Sequence, residues 1–145
     1  MKKILVALVA IAVLGACSSE KNDFAYRGLS MSLPFQTFID SAKTDSDFQM
    51  VVMGSDAVRY RLVIAQKTGQ VAALQENWEL HSNDSTRNLW QQMRDDFEKD
   101  LGAWPNMPKH GDDHKIAKFE AEGGFITLTL ENTYKPTLSV RYDKK

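Results

Sequence analysis

The stretch Gly124-Phe125-Ile126-Thr127-Leu128-Thr129-Leu130-Glu131 decides the fold. Ile126, Leu128 and Leu130 alternate with Phe125, Thr127 and Thr129, the period of two that marks a strand with one buried and one wet face. Clean alternation of this kind belongs to an antiparallel sheet covered on a single side. The pattern continues outward in both directions. Lys115–Ala121 reads as a strand joined through Gly123-Gly124, and Thr137–Tyr142 as another, joined through Asn132–Pro136, with Leu138, Val140 and Tyr142 on one parity.

Upstream the period changes. Leu89, Trp90, Met93, Phe97 and Leu101 form a stripe at helical spacing, with cap candidates in Asn83-Asp84-Ser85 and a stop at Gly102. Ala103–His114, with Trp104-Pro105 and Met107-Pro108, reads as a loop. Earlier still, Ser32 and Pro34 announce a short helix whose Phe35, Phe38, Ile39 and Ala42 share a face, ended by Asp45-Ser46-Asp47. Strands are expected at Phe48–Met53, Val58–Ala65 and Gln70–Leu80, with a turn at Lys67-Thr68-Gly69. In the last of these Ala72, Leu74, Trp78 and Leu80 share a parity that Glu76 interrupts. The expected fold is α+β: an antiparallel sheet of about six strands with two helices packed on one face, in a helix-strand-strand-strand order that occurs twice.

The first residues carry a different signal. Lys2 and Lys3 precede an apolar run from Ile4 to Leu14, and Leu14-Gly15-Ala16-Cys17 follows. A charged start, an apolar segment and small residues before a cut site make a secretory signal. The run is too short for a membrane-spanning helix, which needs about 20 apolar residues. The stretch resembles the lipobox of bacterial lipoproteins. That resemblance implies a diacylglyceryl group on the Cys17 thiol, cleavage between Ala16 and Cys17, and anchorage to the membrane by acyl chains. The chain then divides into a signal peptide (1–16), a lipidated tether (17–23) and a single α+β domain (24–145). Ser18, standing where Asp favours inner-membrane retention in enteric-type bacteria, points to an outer-membrane lipoprotein, on either the periplasmic or the surface face.

In element order the chain also resembles the BLIP-like lipoproteins and the outer-membrane assembly lipoproteins called SmpA or OmlA. Gly28-Leu29-Ser30-Met31-Ser32 is similar to the Gly-Met-Thr/Ser start of the latter family's first helix. The family's Gly-x-Pro after that helix is replaced by Thr44-Asp45-Ser46. The resemblance implies an architecture and a broad protein-binding sheet face, and carries over no functional residue.

Composition narrows the function. Loss of the signal lysines leaves 16 basic against 19 acidic residues, a net charge of −3, with no basic patch of the kind nucleic acids require. Cys17 is the sole cysteine, so once lipidated it leaves no thiol for a disulfide, a nucleophile or a metal. No nucleophile elbow, zinc-protease motif or phosphate-cradling glycine loop occurs. The chain therefore reads as a non-enzyme with no cofactor and no assigned metal. His110-Gly111-Asp112-Asp113-His114 could hold zinc only with help, for instance from His81, and otherwise is a polar loop.

By strand parity, Arg59, Arg61, Gln75, Asn77, Glu79, Thr127, Thr129, Ser139 and Arg141 share the face away from the helices. Arg59, Arg61 and Arg141 on that face are candidate partner-binding residues. Trp104 is another, either covering the helix end or standing exposed as an anchor. Trp78 and Trp90 read as core. The expected function is a protein-interaction or assembly accessory in the cell envelope with a protein partner. One alternative is a small-molecule or glycan-binding lipoprotein using a pocket between Trp104, the His110–His114 loop and the sheet. Another is an inhibitor of a lysozyme or protease acting through the Ala103–His114 loop.

Overall fold

The structure, a computed structural model, describes residues 24–44 and 57–145. The signal, the lipobox, the tether, the Asp45–Asp47 stop and the expected strand Phe48–Met53 lie outside the described residues. Along the chain come β1 (Ala25–Tyr26), β2 (Leu29–Ser30), α1 (Phe35–Thr44), β3 (Ala57–Lys67) and β4 (Gln70–Leu80). They are followed by α2 (Asn83–Leu101), β5 (Asn106–His110), β6 (His114–Ala121), β7 (Gly124–Glu131) and β8 (Thr137–Lys144). β3 to β8 form one six-stranded antiparallel sheet in the order β3-β4-β8-β7-β6-β5, and β1 pairs with β2 in a small hairpin.

The fold is therefore α+β with the expected antiparallel sheet. The expected order departs in the second half, where α2 is followed by four strands instead of three. Asn106–His110, read from sequence as loop, pairs with β6 through Asn106–Lys118 and Lys109–Ile116. Pro105 and Pro108 concealed it, since proline is confined to sheet edges and bulges. β5 is an edge strand, and a register shift falls between Asn106 and Lys109.

Register sets the two faces. Leu62, Glu76, Val140, Leu128 and Ala117 lie in one row across five strands, with rows of Tyr60-Trp78-Leu138-Leu130 and Ile64-Leu74-Tyr142-Ile126-Phe119 on either side. This face is buried, and α2 packs across it onto β4, β6, β7 and β8. Trp90 sits under the helix, fully buried, its indole N–H donating to Leu128 O at 3.3 Å. Leu89, Met93, Phe97 and Leu101 pack beside it, so the helical stripe and the strand alternation meet as the sequence implied. The opposite face carries Arg59, Arg61, Gln75, Asn77, Glu79, Thr127, Thr129, Ser139 and Arg141, as parity predicted.

α2 begins one residue earlier than the cap candidates suggested. Ser82 is the N-cap, its Oγ accepting from Ser85 N at 3.0 Å, and Gly102 ends the helix at φ +63°. α1 starts at Phe35, just after Pro34, where Phe35 N donates to Gly69 O in the β3–β4 turn. Its Phe38 enters the same core as Trp90 and Tyr142. A bulge where β4 passes Ala65 and Gln66 lets Val71 join the core beside Leu74.

Candidate functional site

Two concavities flank the sheet, one on each face. The first, of about 500 Å³, lies between α2 and the β1–β2 hairpin. Leu89, Met93, Phe97, Ile126, Val140 and Tyr142 give it apolar walls, while Glu76 and Arg27 supply polar groups and Asp96 and Asp100 line it as well.

Glu76 is the residue the sequence marked as an exception, and it is 1% exposed in the middle of an apolar row. A carboxylate so placed must be paired and hydrogen-bonded, because an uncompensated buried charge would destabilise the fold by several kcal/mol. Arg27 provides Nε at 2.8 Å and Nη2 at 3.3 Å. The Tyr26 hydroxyl donates to Oε2, and the Tyr60 hydroxyl and Trp78 Nε1 approach at 3.4 Å. Burial, and then the charge of Glu76, push the Tyr26 and Tyr60 hydroxyls well above the ordinary tyrosine range, so both remain protonated donors. Burial alone would lower the Arg27 pKa, but its hydrogen bonds and charge contact with Glu76 outweigh that and raise it.

The hairpin delivers Tyr26 and Arg27, while Tyr60 and Trp78 come from β3 and β4. Tyr26 pairs with Leu29, and the two turn residues between them, Arg27 and Gly28, both have positive φ, at +48° and +82°. Two consecutive left-handed residues form the primed turn that suits a two-residue hairpin. Glycine adopts it freely and arginine does not. This hairpin left no trace in the sequence pattern, because two-residue strands have no periodicity to read.

The second concavity, of about 490 Å³, lies on the outer face, where Arg59, Arg61, Asn77, Glu79, Glu131 and Ser139 line it. Arg59 pairs with Glu79 at 3.3 Å, and Arg141, further along the sheet, pairs with Asp143 at 2.9 Å. Tyr134, in the β7–β8 turn at the same end as Arg59, is 94% exposed. The sequence reading passed over it inside a short polar turn.

The other candidates are scattered. Trp104 is 83% exposed and precedes β5, at the sheet edge opposite β3. Five strand spacings, roughly 24 Å, separate those edges, so Trp104 does not join Arg59 and Arg61. The pocket expected between Trp104, the His110–His114 loop and the sheet is replaced by the cavity beneath α2. His110–His114 forms the β5–β6 turn. There Asp113 accepts from Arg87 Nη2 at 2.6 Å and Asn132 Nδ2 at 3.1 Å, and His114 lies 3.7 Å from Glu131. No group of three or more potential metal ligands occurs among the described residues. No helix among them is long and apolar enough to cross a membrane.

Comparison with protein-family models, curated proteins and solved structures finds no match. The described residues form an α+β domain whose antiparallel sheet is covered on one face and open on the other.

Proposed function

We propose that this chain is a lipid-anchored, non-enzymatic protein of the bacterial outer membrane, tethered through Cys17, that docks a protein partner as an interaction or assembly accessory. The observation that carries the reading is the outer-face concavity around Arg59 and Arg61, which no described element covers. Its lining sets guanidinium, carboxylate, amide and hydroxyl groups among apolar surface, a mixture that suits a protein interface. Arg61 has no ion-pair partner among the described residues, which leaves its guanidinium available to a partner carboxylate.

The test is a mild in-cell crosslink of tagged, natively lipidated protein followed by mass spectrometry, with Arg61→Glu and Cys17→Ala as comparisons. One dominant protein partner, diminished by both substitutions, supports the reading. Absence of any partner above background sinks it.

A second reading rests on Glu76. Apolar walls around a few convergent polar groups are the ordinary make-up of a small-molecule site, which suits capture of a small amphipathic molecule or glycan beneath α2. Native mass spectrometry of the detergent-extracted protein would show such a molecule as added mass, lost in Met93→Trp, which fills the cavity. The inhibitor reading loses its protruding loop, since much of Ala103–His114 is strand β5.

A further inference from the structure

The place where the tether enters the domain and the outer-face concavity lie at opposite ends of the sheet. The tether (17–23) leads into Phe24, which is fixed in position. Its carbonyl accepts from Met31 N at 2.9 Å, its ring stands 5.9 Å from that of Tyr142, and it lies against Gly124 so closely that a β-carbon there would sit 2.6 Å from it. Gly124 and Lys144 pair at one end of β7 and β8, and Glu131 and Thr137 pair at the other, level with Arg59 and Glu79. At about 3.3 Å per residue those levels are roughly 23 Å apart.

Trp104 belongs to the tether end. It follows the Gly102 cap of α2 and stands two residues ahead of the Asn106–Lys118 pair, towards the end of β6 that closes at Ala121–Gly124. Held between a helix cap and Pro105, its indole is 83% exposed. Lys118 and Lys145 bracket the Phe125 ring on the outer face at the same end, at 4.8 and 5.4 Å, and Lys145 pairs with Glu120 at 2.8 Å. Glu120, Glu122 and Asp143 balance the lysines there, so this end is amphipathic without being strongly cationic.

We propose that this end of the domain rests on the lipid surface, with the Trp104 indole in the headgroup region and the Arg59–Arg61 concavity turned away from the bilayer. The inference builds on the lipid-anchor reading. Residues 17–23 span at most about 25 Å when fully extended, so anchorage at Cys17 keeps Phe24 within that distance of the bilayer. Tryptophan is the side chain enriched at membrane interfaces, where its ring body is apolar and its N–H stays wet. The near balance of charge makes the contact insensitive to salt and independent of anionic lipid.

The test uses the full-length, natively lipidated protein in phosphatidylcholine vesicles, with or without bromine on the upper acyl chain. Trp78 and Trp90 are 2% and 0% exposed, so a contact quencher acts on Trp104 alone. The expected result is a blue shift of the exposed-indole emission on vesicle insertion and its loss with brominated lipid, both absent in Trp104→Phe and both unchanged by added salt. Trp104 emission that is equal in the two vesicles overturns the proposal, whether the indole is open to aqueous acrylamide or covered by a second protein. Intact mass distinguishes the two layers of the argument. An acylated chain with unquenched Trp104 overturns the orientation alone, whereas a chain without acyl mass overturns the anchor reading and the orientation with it.

Discussion

Arg27 reaches Glu76 across the sheet's covered face from a left-handed backbone position: its Nε lies 2.8 Å from Oε2 while its own φ is +48°. A side chain that would rarely choose this conformation is held in it, and the guanidinium is delivered to a carboxylate that has almost no contact with water. Local strain and a buried ion pair thus support each other, a combination that collects at functional positions more often than at purely structural ones.

Arg27→Gly separates the two effects. Glycine relieves the left-handed strain, worth about 1–2 kcal/mol, but leaves Glu76 without its cation. Removing one partner of a buried pair costs more than the pair contributes. The expected outcome is a net loss of about 1–3 kcal/mol, read from urea unfolding. Adding Glu76→Gln to Arg27→Gly should cost less than the two single changes summed.

Trp90→Ala should be among the most damaging single changes. It empties a fully buried site and removes the hydrogen bond to Leu128 O. A loss of about 3–5 kcal/mol is expected, measured by denaturant midpoint. A loss below about 1 kcal/mol, the size of an ordinary surface change, would mean that α2 is docked by other contacts.

Gly124→Ala tests the packing of Phe24 against the sheet. The new methyl would clash with Asp143 O and fall 2.6 Å from the Phe24 ring. The Phe24 ring can swing aside, but the Asp143 carbonyl can only move with the backbone of β8, so the β7–β8 pairing must be disturbed as well. Destabilisation of about 1–3 kcal/mol is expected, together with faster proteolysis around residue 24.

Acid should weaken the link between α2 and the β5–β6 turn. The Asn132 amide, and then Arg87, hold the Asp113 carboxyl below its ordinary range. A folded pKa below the unfolded one means that the stabilisation is present above the unfolded value and is lost as pH falls through the folded one. That window lies below about pH 4. Asp113→Asn should therefore be less stable than the parent at neutral pH, with the gap closing as pH drops through that window. Urea midpoints across a pH series would show it.

Long elements were legible because their periods are long enough to count. Leu89 to Leu101 gave α2, Ile126 to Leu130 gave β7, and parity alone placed Arg59, Arg61 and Arg141 on one face, since register errors would have moved hydrophobic partners into water. Short elements left no such trace. β5 was hidden by prolines, and β1 and β2 are two residues each. The cavity beneath α2 could not be read at all, because its walls come from the hairpin, three strands of the sheet and α2, far apart in sequence.

The α+β class, the antiparallel sheet, its wet face and the core tryptophans were already readable in the amino-acid order, since each follows from the spacing of apolar side chains along a regular backbone. Only the assembled fold settles that Glu76 is buried with Arg27 as its cation, that Trp104 is exposed at the edge away from Arg59 and Arg61, and that Phe24 packs at the end of the sheet opposite those arginines. Those outcomes depend on which strands become neighbours, and strand order is set by the packing of the whole domain rather than by any local pattern.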